Sequence, residues 1–459
     1  MSDPQVVIVS NRGPLSFSYD EEGQPRPTRG AGGLVTGLSS LAGRADTTWV
    51  SAAISSADRA VAGASEGPIE AEGYRVEMLA VDSHDYAAAY DVISNQTLWF
   101  CHHRLFDLAV EPRIDDAWWG AWRSYERVNR AFADRVAQRA ERGAVVLVQD
   151  YHLTLVGSML RANRPDLRTV HFHHTPFADP ATLGLLPGSV VAALLEGLAG
   201  FDACGFHSRR WVDDYLACAA AHGLPAARVF VSPLAVEPAD LQRSADTQGC
   251  RRALADLEAQ VGDRQAITRV DRIELSKNLL RGFAAYDLLL TREPHRRGEV
   301  VFVACCYPSR EGVPAYARYR AEVERVVDDI NTRWGTHDWT PVLWDTSDDY
   351  PRSLAALRRA DVVVVNPIRD GLNLVAKEAS IIGQRAPGVV LSSEAGVYDE
   401  LGPWCDVVNP FDISETATAM ATALDRGDAD RSAMAQRRLE ASLARTPANW
   451  LDDQLAALD

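Results

Sequence analysis

Four consecutive β-branched residues, Val362 to Val365, are hemmed by Asp361 on one side and Asn366-Pro367 on the other. A short run that is apolar on both faces and closed by a proline reads as a fully buried strand of a parallel sheet. From Leu374 onward, helix-forming residues continue without a breaker to Gly383. The segment between, Arg369-Asp370-Gly371-Leu372-Asn373, is then a turn from the C-terminal end of a strand to the N-terminus of a helix. Open α/β sheets bind their ligands at such turns. A helix start offers unpaired backbone N–H groups and the positive end of the dipole, which suits a phosphate. Asp370 stands where it can accept from sugar hydroxyls. Glu378, one turn beyond Leu374 on the same face, can accept from a second set.

The same unit recurs along the chain. Val6 to Ser10 runs into Asn11-Arg12, Val145 to Val148 into Gln149-Asp150-Tyr151-His152, and Thr169 to His173 into His174-Thr175-Pro176. In the second half, Ala266 to Val270 leads to Asp271-Arg272-Ile273-Glu274-Leu275-Ser276-Lys277, and Val300 to Ala304 leads to Tyr307-Pro308-Ser309-Arg310. Thr340 to Trp344 opens on the acidic loop Asp345, Asp348, Asp349. Strand–loop–helix repetition with short loops predicts an α/β fold of two doubly wound, Rossmann-like parallel sheets facing each other across a cleft. Pro233 and Pro238 mark the hinge, giving domains over 1–233 and 234–442. Residues 14–29 read as a loop leading into Gly30-Ala31-Gly32-Gly33, where backbone can approach a phosphate or sugar closely. The spacing G-x-G-x-x-G is absent. Asp115 to Val136 reads as an amphipathic helix whose Trp118, Trp119, Trp122 and Tyr125 belong to the core, and Ser244 to Gly262 as a single helix.

At 459 residues the chain exceeds one hydrophobic core. A formal charge of −16 argues against nonspecific nucleic-acid or anionic-membrane binding, so a phosphate ligand has to be held by individually placed Arg and Lys. Seven scattered cysteines, with no C-x-x-C pair, read as reduced apolar thiols. No basic, apolar leader opens the chain and no apolar run reaches the roughly 18 residues that span a bilayer, so a cytoplasmic protein is expected.

Several motifs fall in one order: Arg12, Gly32-Gly33-Leu34, Tyr90, Asn95…Leu98-Trp99, Asp150-Tyr151-His152, His174-x-Pro176-Phe177, Arg272…Ser276-Lys277, Ser309-Arg310 and Arg369 to Glu378. Together they resemble the trehalose-6-phosphate synthases, retaining glycosyltransferases of the GT-B fold. The resemblance implies transfer of glucose from a nucleotide sugar to glucose 6-phosphate. It implies that Arg12, Tyr90, Trp99, Asp150 and Arg310 hold the acceptor, the two arginines on its phosphate. Gly32, Gly33, Arg272, Lys277 and the turn Asp370, Gly371, Leu372, Asn373, Leu374, Val375 with Glu378 would hold the donor. Arg272, Lys277, His174 and Asp370 would carry the chemistry, with no metal and no cofactor. Residues 443–459 would form a helix packing back on the first domain.

In this family retention is thought to proceed on one face, the leaving phosphate taking the proton of the incoming hydroxyl, so Asp370 is not expected to be a nucleophile. The chain departs from the family at Lys277-Asn278, where many relatives have Lys-Gly, and at Glu274-Leu275, where Asp-Tyr is usual. A related pseudo-glycosyltransferase branch that makes validoxylamine 7′-phosphate also has Lys-Asn, and stays open as an alternative. A non-catalytic sugar-phosphate-binding relative is a second. Some actinobacterial relatives use GDP-glucose. A carboxylate can accept from guanine N1–H and N2–H₂, whereas uracil offers one donor. GDP-glucose is therefore the expected donor, read by an aspartate of the 345–349 loop with Asp345 first, and UDP-glucose is the rival. Oligomeric state is left open.

Overall fold

In the computed structural model, residues 4–29, 38, 47–65, 67–310 and 312–459 are described. Two compact units result, one from the chain up to Leu234 together with Pro447–Asp459, the other from Ala235–Thr446. The first holds an eight-stranded sheet in the order Arg228–Val231, Ala203–Phe206, Arg168–His173, Val145–Gln149, Val6–Ser10, Thr47–Ala52, Tyr74–Leu79, Ile69–Ala71. Its pairings are parallel, save that the edge strand Ile69–Ala71 runs antiparallel to Tyr74–Leu79. Early strands spread to one side of Val6–Ser10 and later ones to the other. The order therefore reverses between Val6–Ser10 and Val145–Gln149, two strands buried over their whole length.

The second unit holds a six-stranded, wholly parallel sheet in the order Val342–Asp345, Val300–Pro308, Gln265–Ile273, Val362–Val365, Gly388–Ser392, Asp406–Val408. Here the reversal lies between Gln265–Ile273 and Val362–Val365. All four residues of the latter are buried.

The helix Asp116–Arg139 starts where Asp115 accepts from the Trp118 N–H at 3.0 Å. It buries Trp118, Trp122, Tyr125, Val128 and Phe132, and Trp119 stays half-buried. The last helix, Pro447–Ala456, packs on the first unit: Trp450 is fully buried with its ring 5.0 Å from that of Phe172.

The structure corrects three readings. Residues 14–29 are not all loop: Leu15–Tyr19 pairs antiparallel with Pro25–Arg29. A lone two-stranded ribbon leaves outward positions where Pro25 and Pro27 need no N–H partner. Its turn is held by Asp20, which accepts from the Glu22 and Gln24 N–H groups. The stretch 244–262 belongs to two helices, Pro238–Ala245 and Gln248–Val261, because Thr247 caps a new start by accepting from the Cys250 N–H. The final helix begins at Pro447 rather than 443, since Leu443 still closes the helix Asp428–Leu443 of the second unit. Among the described residues no helix is long and apolar enough to cross a membrane. All seven cysteines are free thiols.

Candidate active site

Each unit gathers its candidate residues at its own strand-order reversal, where open α/β sheets bind ligands. In the first unit, Arg12 follows Val6–Ser10, and the Ser10 hydroxyl donates to the Arg12 carbonyl at 2.6 Å. Arg12 is exposed, with its guanidinium 3.4 Å from the Tyr90 hydroxyl. Tyr90 lies in the π-helix Ala88–Leu98, a form frequent at functional sites. Its ring stacks between those of Tyr86, at 5.6 Å, and His152, at 5.8 Å. Trp99 is buried and stacks on His103 at 3.9 Å. Arg12, Tyr90 and His152 are thereby brought together, while Trp99 sits deeper against Tyr151. Gly32 and Gly33 lie outside the described residues.

Asp150 ends Val145–Gln149 with φ of 71° and accepts from the His174 N–H at 3.2 Å. The His174 ring sits in a hydrogen-bond chain whose direction is dictated by a backbone donor. The Leu234 N–H donates to His207 Nδ1 at 3.3 Å. His207 must then carry its proton on Nε2, which donates to His174 Nδ1 at 3.2 Å. His174 Nε2 in turn donates to Gln149 Oε1 at 3.0 Å, and Gln149 donates to Gln454 Oε1 at 3.3 Å. Burial holds the His174 ring well below the usual histidine range, at about 3, so it stays neutral. Both ring nitrogens are engaged within the protein, which fits a positioned contact better than proton transfer.

In the second unit, Gln265–Ile273 delivers Arg272, and the following turn delivers Lys277. Lys277 Nζ lies 2.6 Å from Asp370 Oδ2 and 3.7 Å from Asp271. Asn373 donates to that same Asp370 oxygen at 3.2 Å. Burial works against the Lys277 charge, but Asp370 and Asp271 outweigh it and hold the ammonium above its usual range. The turn carrying Gly371 and Leu372 is pinned from outside: Asp370 O accepts from the Gly396 N–H at 3.0 Å and Leu372 O from the Val397 N–H at 2.8 Å. Gly396 is required there, since a Cβ on it would lie 1.9 Å from Gly371 O. Leu374 leads into the helix Val375–Ile382, which no side chain caps. Glu378 stands in its first turn, half-buried, and burial pushes its carboxyl up to about 7. Desolvation by burial is the cause of that shift. Lys377 points elsewhere and pairs with Glu400 at 2.8 Å.

Arg310 follows Val300–Pro308 with φ of 49°. Asp345 ends Val342–Asp345, but one of its oxygens accepts from the Ser347 N–H and hydroxyl and the other pairs with Arg352. Asp349 caps the next helix through the Arg352 N–H, which leaves Asp348 as the exposed carboxylate of the loop without a structural role. Seven described non-glycine residues have positive φ, and Asp150, Asn278, Arg310 and Asn373 are four of them. Such conformations cost about 1–3 kcal/mol each and concentrate where function demands a geometry.

Lys277-Asn278 has a conformational reason. Asn278 has φ of 61°, a region open to Gly and, next best, Asn. Its amide donates to Asn366 O at 3.0 Å and Pro410 O at 2.7 Å, ties that Gly cannot make. The sequence reading assigned no role to Glu274, whose fully buried carboxylate lies 2.9 Å from Arg272 and 3.3 Å from Arg310. A carboxylate placed two residues after an arginine at a strand's C-terminal end was the available signal.

Comparison with known proteins bears on the whole chain. The model of Glycosyltransferase family 20 matches residues 4–459. A trehalose-6-phosphate synthase from Mycolicibacterium smegmatis is 31% identical over 477 residues, covering 98% of this chain and 92% of that protein. A solved structure from E. coli bound with UDP-2-fluoro glucose superimposes with a TM-score of 0.85 at 27% identity, over 99% of this chain and 98% of the other. An α,α-trehalose-phosphate synthase (UDP-forming) from Burkholderia xenovorans, in complex with glucose-6-phosphate, gives a TM-score of 0.85 at 27% identity, over 99% and 100%. The two parallel α/β sheets are of the expected GT-B kind.

Proposed function

Since the chain belongs to glycosyltransferase family 20, we propose that it moves glucose from a nucleoside-diphosphate glucose to glucose 6-phosphate, giving α,α-trehalose 6-phosphate. The observation that carries this reading is the donor turn. Lys277 and Asn373 converge on Asp370 beside a helix start with no side-chain cap, and Glu378 waits in the first turn of that helix. A leaving diphosphate gains negative charge as the sugar–phosphate bond breaks. Arg272, Lys277 and the helix start stabilise that charge more in the transition state than in the ground state. Asp370 and Glu378 accept from hydroxyls of the donor.

The acceptor phosphate is a dianion suited to guanidinium groups, here Arg12 and Arg310, with Tyr90, Trp99 and Asp150 on the sugar. Transfer retains configuration, the departing phosphate oxygen taking the proton of the attacking hydroxyl on the same face. His174 contributes position, because both nitrogens of its neutral ring are already engaged within the protein. No metal is required when fixed cations meet the diphosphate. Among the described residues, the one group of carboxylates and imidazoles spaced for a metal is Asp82, His84 and Asp85, in the first unit.

Which base the donor carries turns on the 345–349 loop. Asp345 is occupied by Ser347 and Arg352, so a guanine would be read by the exposed Asp348. GDP-glucose is the donor we propose, and UDP-glucose is the rival that needs no such carboxylate. The test is a panel of UDP-, GDP- and ADP-glucose with glucose 6-phosphate, scoring nucleoside diphosphate release and the anomeric configuration of the product. Trehalose 6-phosphate with both anomeric centres α is expected. Absence of transfer from every donor, or turnover of an aminocyclitol phosphate instead, overturns the reading. Asp348→Asn should lower kcat/KM about tenfold with GDP-glucose and leave UDP-glucose unchanged; equal effects on both remove Asp348 as the reader.

A further inference from the structure

One carboxylate holds together two cations that the proposed reaction assigns to different substrates. Glu274 Oε1 makes ion-pair contacts with Arg272 Nη1 at 2.9 Å and Arg310 Nη1 at 3.3 Å and accepts a hydrogen bond from the Ser309 hydroxyl at 2.8 Å. The side chain is wholly buried, and its second oxygen has no hydrogen-bond partner. The backbone fixes where it points, since the Glu274 N–H closes a tight turn onto Arg272 O at 2.8 Å. Arg310 is braced a second time, donating to the Tyr316 hydroxyl at 2.9 Å. Burial would favour the protonated acid, but Arg272 and Arg310 hold the carboxyl down at about 2, so it remains an anion.

We propose that Glu274 is a positioning residue that locks the guanidinium for the donor diphosphate and the guanidinium for the acceptor phosphate into one register. It touches neither substrate. Two guanidinium groups this close repel each other, and without the shared anion that repulsion is no longer offset. Loss of the anion also removes a negative charge from beside two phosphate subsites, which on its own favours phosphate binding. Affinity and turnover therefore part company. A misplacement of about 1 Å near reacting groups can cost about a hundredfold in rate.

The inference rests on the substrate roles proposed above for Arg272 and Arg310, and its test separates the two. In Glu274→Gln, dissociation constants for nucleoside diphosphate alone and glucose 6-phosphate alone, measured calorimetrically, should stay within about threefold or tighten, while kcat falls about 30- to 100-fold. Glu274→Asp keeps the charge but withdraws it by one C–C bond, about 1.5 Å. Its kcat should lie between, about five- to tenfold down, at unchanged affinity. A kcat within threefold of wild type in Glu274→Gln overturns the proposal, as does a loss of affinity in step with turnover, the mark of a merely structural side chain. Should Glu274→Gln not fold, Glu274→Asp decides by the same two criteria. A wild-type protein that binds neither ligand overturns the proposed function itself, and this inference falls with it.

Discussion

Replacing Asn278 by glycine and by alanine separates the two jobs of this side chain. It is 2% exposed, it holds φ at 61°, and its amide feeds the carbonyls of Asn366 and Pro410. Glycine keeps the backbone conformation but strips both carbonyls of their donor. Leaving buried acceptors unpaired costs about 1–3 kcal/mol in all, partly offset because glycine is at ease with positive φ. Alanine loses the same bonds and adds about 1–2 kcal/mol for placing a Cβ in the left-handed region. The expected order of stability is wild type, then Asn278→Gly, lower by about 1–3 kcal/mol, then Asn278→Ala, lower by about 2–5 kcal/mol. Urea unfolding followed by tryptophan fluorescence reads this as a stepwise fall in the midpoint. Alanine matching or exceeding glycine would refute the conformational argument, and glycine matching asparagine would refute the hydrogen-bond argument.

Glu378→Gln removes a carboxyl whose pKa burial raises to about 7 from an ordinary 4.5. The folded protein keeps that proton where the unfolded chain has released it, so wild-type stability falls as pH rises from about 4.5 to 7 and stays lower above. The variant should gain about 3 kcal/mol over wild type at pH 8 and nothing at pH 4, while binding nucleotide more weakly. Urea midpoints at the two pH values check this, and a variant less stable than wild type at pH 8 counts against it. Trp450→Ala should cost about 3–5 kcal/mol, because the ring is fully buried against Phe172. An unchanged thermal midpoint would show that the last helix contributes nothing to the first unit.

The strands lining both order reversals were legible because they are short β-branched runs closed by polar residues. Val6–Ser10, Val145–Gln149 and Val362–Val365 carry that signal with nothing to obscure it, whereas Gln265–Ile273 was legible only over Ala266 to Val270 and carries Arg269 and Asp271 inside it. Tyr74–Leu79 was not legible, because the buried Glu77 interrupts its apolar pattern and is matched only in space by Arg135 and Arg139. The π-helix Ala88–Leu98 has no sequence periodicity that distinguishes it from an α-helix. At the candidate site, strand ends marked Arg12, Asp150, Arg272 and Asp370 as candidates by position alone. Pairing is a property of the fold: the reach of Glu274 to Arg310 and the His207–His174 chain join residues far apart in sequence, and the Asp345–Arg352 contact depends on how the loop turns into its helix. The departure at Asn278 was visible as a letter, and its reason needed a dihedral angle.

The closing helix has a consequence for synthesis. The seat for Trp450, against Phe172 and beside His174, is built by residues translated some hundreds of positions earlier. While the second unit is emerging from the ribosome, that seat stands open and exposes an apolar patch, and Gln149 lacks the acceptor that Gln454 will bring. The first unit is therefore begun first and finished last. A nascent chain halted before residue 447 should remain more susceptible to protease than the released protein.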